Sequence, residues 1–217
     1  MPSPRPRWRR RKPERPAEII QAALSVFADL GFAAAKLDEI ARRAGVAKGS
    51  LYSHFATKDA LFRAVVQTAI APSFEALRAT SQTFDGPFPE LVSLLLVRAA
   101  VVINGSRLPS VARMVISESR TFPDLARVWH DDVVSRVMGL LAELVAGAQE
   151  RGEVRAGDAR LHAFSIFGPL VMALLYGEVF AHCSSNPPDL PALAEQHAQT
   201  VLRGLLTSAV ECKEKAP

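Results

Sequence analysis

Apolar residues recur at helical spacing along most of the chain, and Gly, Asn and Pro separate one apolar run from the next. In the first run, Ile19, Ala23 and Phe27 fall on one helix face, and Gly31 stands where that helix should end. Later breaks are expected at Asn104-Gly105, Gly152, Gly157 and Asn186-Pro187-Pro188. No stretch shows the alternation and β-branched enrichment of a strand. The pattern predicts an all-α protein of about nine helices.

The predicted helices form two groups that follow a short arm. Residues 1–14 are rich in Pro and Arg and show no apolar periodicity, so we predict a flexible arm there. Three short helices and the start of a fourth, with Thr57 as its N-cap, make up a domain over 15–65. Residues 66–217 make up a second domain. Its helices are expected over 88–103, 110–119, 123–152, 158–182 and 190–210.

Charge is distributed unevenly between these domains. The net charge of the chain is +4. Residues 1–65 carry 13 Lys and Arg against 6 Asp and Glu, whereas 66–217 carry 13 against 16. A basic first domain on a mildly acidic body is typical of a module that binds a polyanion. Charge alone leaves both a nucleic acid and a membrane surface open as partners.

Composition excludes several classes of protein. Of the 217 residues, 49% are hydrophobic, which is too many for a disordered polypeptide. The two cysteines, Cys183 and Cys212, form neither a disulfide framework nor a cysteine zinc site, which favours a reducing cytoplasm. The apolar stretch 161–180 is long enough to span a membrane, but it contains Pro169 and Glu178 and lacks flanking basic clusters. We therefore expect a soluble cytoplasmic protein that makes no membrane contact.

The segment 37–55, LDEIARRAGVAKGSLYSHF, carries the most specific signal in the chain. Two short helices joined by a tight turn need a small residue where they cross and tolerance of positive φ at the turn, and Ala41 and Gly45 meet these needs. The residues left outward on the helix after the turn are Lys48, Gly49, Ser50, Tyr52, Ser53 and His54. This basic, hydroxyl-rich surface suits phosphates and base edges in a DNA major groove. The alternative is an ordinary helical hairpin whose charges face water.

Residues 15–65 resemble the N-terminal domain of the tetracycline-repressor (TetR/AcrR) family of transcriptional regulators. The resemblance rests on FADLGF at 27–32, DEIA at 38–41, AGVAKGSLYSHF at 44–55 and KDALF at 58–62. It implies a three-helix helix-turn-helix domain that binds double-stranded DNA, followed by a helical effector-binding and dimerisation domain over 66–217. It also implies a homodimer in which the third helix of each subunit enters successive major grooves of a palindromic operator.

The resemblance implies which residues contact DNA. On the third helix they are Lys48, Ser50, Tyr52 and His54, with Gly49 and Ser53 beside them. Lys58, at the start of the next helix, is implied as a phosphate contact. The family usually has a Thr-Thr or Thr-Ser pair before the second helix, where this chain has Ala35-Lys36. The hydroxyl N-cap is therefore lost, and Lys36 is expected to reach a phosphate instead. For the basic arm, weak sequence-independent DNA affinity and a solubilising tail are both open interpretations.

Helix 158–182 carries more apolar surface than one core can use. Apolar side chains lie nearly all round it, interleaved with Ala and Gly, which indicates a second buried partner. The helix over 190–210 is amphipathic, and the two together predict a homodimer closed by a four-helix bundle across a two-fold axis. Pro169 either kinks the first of these helices or separates two helices, and the sequence leaves both open.

A small-molecule effector is implied by the resemblance, with release of the operator when the effector changes the spacing of the DNA-binding helices. Repression is the usual outcome in the family and is expected here, with activation as the alternative. The effector is expected to be an apolar or aromatic compound, since the candidate lining is apolar and adaptable. The candidate residues are Arg98, Phe122, Trp129, His130, Met138, Phe167, Met172 and Tyr176. The pair Trp129-His130 is the first choice among them. For each candidate, core packing or surface exposure is the more common explanation.

Two other classes of function remain as alternatives. An enzyme would need motifs that the chain lacks: there is no HExxH pair, Gly-rich phosphate loop or GxSxG elbow. We therefore predict no catalytic residue, no metal ligand and no cofactor. The second alternative is an interaction module of the same fold with only non-specific DNA affinity. Acidic residues on the third helix would favour that module, and this sequence has none there.

Overall fold

All regular structure in residues 16–183 and 185–207, the part of the chain that the computed structural model describes, is helical apart from one isolated bridge. The helices are α1 Pro16–Ala34, α2 Leu37–Ala44, α3 Lys48–His54, α4 Lys58–Val65, α5 Ala71–Thr83, α6 Phe88–Asn104, α7 Leu108–Glu118, α8 Pro123–Trp129, α9 Ser135–Glu150, α10 Ala159–Phe180 and α11 Leu190–Leu205. Two π-helical turns, Val66–Ile70 and His130–Val134, join α4 to α5 and α8 to α9 without a break. The described residues thus form nine helices, of which α1 is kinked at Gly31, and this confirms the all-α prediction.

The short helices of the first domain begin and end as the sequence predicts. The backbone at Gly31 leaves the helical region, with φ 79° and ψ 169°. Gly45 ends α2 in the left-handed conformation, with φ 68°. The hydroxyl of Thr57 accepts a hydrogen bond from the backbone N–H of Ala60 at 3.0 Å and so caps α4. α2 begins at Leu37, and its N-cap residue Lys36 makes no side-chain cap, as expected from the missing hydroxyl.

Three features of the second domain differ from the prediction or complete it. α5 is absent from the sequence prediction because none of its residues is buried, so it carries no apolar stripe to detect. α11 ends at Leu205 rather than near 210, because Leu206 is extended and pairs with Val154. α10 runs unbroken through Pro169, so the proline lies inside one helix. The arm predicted over 1–14 lies outside the described residues.

Two apolar cores hold these helices together. The first core packs α1–α4 against α7 and α8, and its buried members include Phe27, Phe62, Met114 and Leu125. The second core packs α6, α9, α10 and α11, and Ile166 lies at zero exposure within it. The first core therefore extends beyond the domain predicted at 15–65, since α7 and α8 supply part of it.

Stability should respond in opposite directions to alanine at two glycines of this fold. Gly45→Ala should lower the free energy of unfolding by about 1 kcal/mol, because an L-residue is strained in the left-handed conformation. No atom lies within 4 Å of a Cβ added at Gly45 or at Gly139, so neither change creates a clash. Gly139→Ala, inside α9, should raise that free energy by up to about 1 kcal/mol. Urea denaturation checks both, and a loss of stability in Gly139→Ala as large as in Gly45→Ala would contradict this account.

Candidate nucleic-acid interface

α2 and α3 are fixed on α1 by buried apolar contacts. Ile40 of α2 and Leu51 of α3 are fully buried in the first core. Ala41, at the crossing of the two helices, is also buried. Gly45 turns the chain between the helices, and its N–H donates back to the end of α2. The helix-turn-helix arrangement predicted from the sequence is confirmed.

α3 turns a polar face outward. Its exposed residues are Lys48, Gly49, Tyr52, Ser53 and His54, and Ser50 is half-buried. Only Leu51 of α3 is buried, so almost the whole helix surface is free to meet a partner. No acidic side chain belongs to α3. The predicted outward orientation is confirmed, and the DNA contacts of these side chains stay predictions.

Lys48 is not a free cation in this arrangement. Its Nζ lies 2.8 Å from a carboxylate oxygen of Asp38 on α2 and 5.9 Å from the ring centroid of Tyr52. The hydrogen bond that Lys48 donates to Asp38 raises the pKa of Lys48, so the ammonium stays charged. Both partners are well exposed, and pairs of this kind contribute little to stability. A phosphate can therefore replace Asp38 as the partner of Lys48 at small cost.

The two arginines of α2 form ion pairs with carboxylates of the first domain. Arg42 and Arg43 both donate to the carboxylate of Glu39, and their hydrogen bonds lower the pKa of Glu39 to about 2. Arg43 also donates to Asp29 of α1 at 2.7 Å. Arg107, between α6 and α7, donates to the same carboxylate at 3.2 Å. The Arg43–Asp29 pair ties α2 to α1, and none of these pairs adds to the outward surface of α3.

The two remaining predicted phosphate contacts have different surroundings. Lys36 is exposed at the start of α2. The Nζ of Lys58 donates to the carbonyl oxygens of Phe32 at 2.6 Å and Ala35 at 3.1 Å, and it lies 4.4 Å from the ring centroid of Phe32. Burial lowers the pKa of Lys58. Its ammonium thus serves the end of α1, a role that sequence reasoning missed, and the phosphate contact stays a prediction.

The eight candidate effector residues do not converge on one place. Arg98 and Phe167 line cavities beside α5. Phe122 packs in the first core, with its ring centroid 5.1 Å from that of Phe32. Met138 packs against the second core, and Met172 is 60% exposed on α10.

The first-choice pair is also divided. Trp129 packs partly buried between the two cores, whereas His130 is exposed and lies 2.9 Å from a carboxylate oxygen of Asp131. Tyr176 packs beside Phe180 and lines a shallow surface hollow. Effector binding by these residues stays a prediction.

Cavities surround α5 on three sides. A groove of about 470 Å³ lies between α5 and α6, with Leu77 and Arg98 in its wall. A second groove of about 410 Å³ lies between α5 and α9, beside Arg78 and Arg136. Beneath the helix, a small apolar cavity of about 30 Å³ reaches Phe167. α5 buries no side chain fully, and it is held by the partly buried Leu77 and by contacts of Arg98 with Thr80 and Arg136 with Glu75. Sequence reasoning named Arg98 and Phe167 but missed the cavities that they line, because it did not predict α5.

Two family models match the chain. Residues 19–65 match "Bacterial regulatory proteins, tetR family", and residues 90–206 match "AefR-like transcriptional repressor, C-terminal domain". The chain belongs to the tetR family of bacterial regulatory proteins. Together the two models cover the helix-turn-helix and most of the second core.

Curated relatives agree with this membership. The transcriptional activator FasR of Mycolicibacterium smegmatis is 43% identical over 70 residues, which cover 32% of this chain and 32% of FasR. The transcriptional regulator UidR of Escherichia coli K12 is 26% identical over 202 residues, which cover 88% of this chain and 92% of UidR. The chain thus spans about a third of FasR and nearly all of UidR.

Solved structures share the whole fold. A TetR-family regulator from Mesorhizobium loti has a TM-score of 0.74 and 25% identity, with 88% of this chain and 96% of that chain covered. FadR of Bacillus subtilis, solved in complex with stearoyl-CoA, has a TM-score of 0.74 and 20% identity, with 88% and 99% covered. At that identity, FadR supports the fold alone.

Asp38→Asn should strengthen DNA binding by about three- to tenfold at low salt, because it frees Lys48 and removes a negative charge beside the phosphates. Asp124→Asn is the matched control, since Asp124 forms an equally exposed pair with Arg127 away from α3. Fluorescence anisotropy with a labelled duplex, over a range of salt concentrations, measures both. Binding by Asp38→Asn no tighter than by Asp124→Asn would contradict the assignment of Lys48 to the interface.

Proposed function

We propose that this protein is a homodimeric transcriptional repressor that binds a palindromic DNA operator through α3 and is released by a small, largely apolar effector. The observation that carries this proposal is the outward face of α3, which is basic, rich in hydroxyls and supported by a rigid apolar core. Membership of the tetR family supports DNA binding and regulation. A repressor agrees with the AefR-like C-terminal model, whereas FasR is an activator.

The operator and the role of α3 are tested together by selecting binding sites from a random duplex pool. We expect an enriched palindrome that a dimer binds far more tightly than random DNA. Lys48→Ala and Tyr52→Ala should each weaken operator binding about tenfold without dissociating the dimer, because each removes a groove or phosphate contact. Arg127→Ala is the matched control, since Arg127 is an exposed cation paired with a carboxylate as Lys48 is.

Two outcomes would count against the repressor. Unchanged affinity in the double variant Lys48→Ala/Tyr52→Ala would remove α3 as the recognition helix. Salt-sensitive binding without an enriched motif would favour the interaction module with only non-specific DNA affinity.

The proposed dimer uses α10 and α11. α10 exposes a row of large apolar side chains, among them Leu161 at 65% and Phe164 at 60%. Exposed apolar surface of this extent on one helix is typical of a subunit interface. A second copy of the chain would bury this row against its own α10, which gives the isologous four-helix bundle expected from the sequence.

Phe164→Glu should shift the protein from dimer to monomer, because it buries a charge in the proposed interface. Val101→Glu is the control, since Val101 is 56% exposed but lies on α6. Sedimentation velocity measures the oligomeric state of both variants. A dimer as stable in Phe164→Glu as in Val101→Glu would rule out this interface.

The proposed effector site lies along α5. The cavity beneath α5 is apolar, and Arg98 and Arg136 stand at the two grooves beside it. A ligand larger than a few atoms would have to displace α5, none of whose side chains is fully buried. It would also have to take over Arg98 from Thr80 and Arg136 from Glu75, the α5 residues that these arginines contact. An apolar effector with a polar or anionic end fits these surroundings. That FadR was solved with stearoyl-CoA is consistent with such a ligand.

A cytoplasmic location is proposed for this regulator. By length and composition alone, α1 and α10 are apolar enough to cross a membrane, with mean hydropathy 1.4 and 1.7. α1 instead supplies the centre of the first core, and α10 supplies part of the second. The family and the solved neighbours are transcription regulators, and we propose no catalytic activity.

A further inference from the structure

The last turn of α1, which follows the kink at Gly31, is bound by a side chain from far along the sequence. Both carboxylate oxygens of Glu118, the last residue of α7, accept hydrogen bonds from backbone N–H groups of this turn. One oxygen accepts from Phe32 at 3.0 Å and the other from Ala33 at 2.6 Å. These N–H groups lack helical acceptors because the helix is interrupted at Gly31. A carboxylate is well suited to such a pair of free donors.

The same turn is bound on its carbonyl side by Lys58. Its ammonium donates hydrogen bonds to the carbonyl oxygens of Phe32 and Ala35, and it lies over the Phe32 ring. Glu118 and Lys58 therefore hold the donors and acceptors of residues 32–35 from α7 and from α4. Gly31 belongs to this arrangement, since a Cβ there would collide with the carboxylate of Glu118.

The position of this turn determines where α2 begins. Phe32 is buried among the aromatic rings of Phe27, Phe62 and Phe122, at centroid distances of 5.1 to 5.9 Å. Lys36 follows directly as the N-cap of α2 and makes no side-chain cap of its own. The start of α2 is thus supported by the preceding turn, and α3 follows α2 after a short bend.

α7 is also bonded to α10. Near its start, the hydroxyl of Ser110 donates to Glu178 of α10 at 3.1 Å, and Arg113 donates to the same carboxylate at 3.4 Å. α7 is therefore bonded to α10 near one end and to the turn before α2 at the other. A shift of α10 would be passed to the turn through a single rigid helix.

We propose that Glu118 is a positioning residue for α3: its carboxylate fixes the turn at residues 31–35, and with it the orientation of α2 and α3 relative to the helices of the second core. The inference rests on the proposed function in so far as α3 binds DNA. A carboxylate suits this pair of donors because each of its two oxygens accepts from one N–H and both bonds are charge-assisted. A glutamine in its place offers one oxygen and turns an NH₂ group toward the other N–H.

The test compares Glu118→Gln with Glu90→Gln, which makes the same chemical change at an exposed residue of α6. Hydrogen exchange of the Phe32 and Ala33 amides should be about tenfold faster or more in Glu118→Gln, because a charged acceptor is lost. Spin labels at Ser53→Cys and Glu150→Cys, with Cys183 and Cys212 replaced by Ser, report how α3 lies relative to α9. The distance distribution should broaden in Glu118→Gln, and operator affinity should fall about tenfold. Glu90→Gln should match the wild type in all three measurements.

Two results would overturn the proposal. Unchanged exchange at Phe32 and Ala33 would show that Glu118 does not hold the turn. Faster exchange with an unchanged distance distribution would show that the turn is held without positioning α3. Hydrogen exchange and spin-label distances can be measured without an operator. If the wild type selects no DNA site, that result counts against the proposed function. The role of Glu118 is then decided by the exchange and distance measurements alone. If Glu118→Gln fails to fold, Glu118→Asp, which is one methylene shorter and reaches only one N–H, replaces it.

Discussion

The first core is the constraint on which the rest of the structure depends, because it is shared between the two halves of the chain. Phe27 and Phe62 come from the DNA-binding half, while Met114 and Leu125 come from α7 and α8. Close packing makes such a core bistable rather than soft, so α7 cannot move without moving the helices that it covers. The helix-turn-helix is therefore not an independent domain joined to the rest by a flexible linker. Its orientation is part of the packing of the second half.

The second core is closed by helices with buried apolar faces on most sides and by a helix without a fully buried side chain on one. α6, α9, α10 and α11 bury their apolar stripes against one another, whereas α5 covers them without burying any side chain of its own. α5 is continuous with α4 through a π-helical turn, and turns of this type are frequent at functional sites. The α5 wall of the effector half is thus joined end to end with a helix of the DNA-binding half. This placement favours α4 and α5 as one element whose position both effector binding and DNA binding can change.

Local chemistry explains what the sequence could predict. Gly45, Thr57 and the buried positions Ile40 and Leu51 follow rules of turns, caps and helix faces that act within a few residues, and the structure has each of them as expected. The same rules failed for α5, since a helix without a buried face has no periodicity. These rules also could not predict the hydrogen bonds of Glu118, whose partners lie 85 and 86 residues away in the sequence. The effector candidates were chosen by residue type, and types such as Phe122 and Met172 suit a core or a surface as well as a pocket.

The ion pair between Lys48 and Asp38 has a consequence for the thermodynamics of DNA binding. A lysine that is hydrated and unpaired releases condensed cations from DNA when it meets a phosphate, and the salt dependence of affinity counts those cations. Lys48 instead exchanges Asp38 for the phosphate, and the unpaired carboxylate of Asp38 then attracts a cation from solution. Each such exchange lowers the net number of cations set free. The slope of log affinity against log salt should therefore be smaller than the number of phosphates that the protein contacts, so that binding is less sensitive to changes in ionic strength than the basic surface suggests.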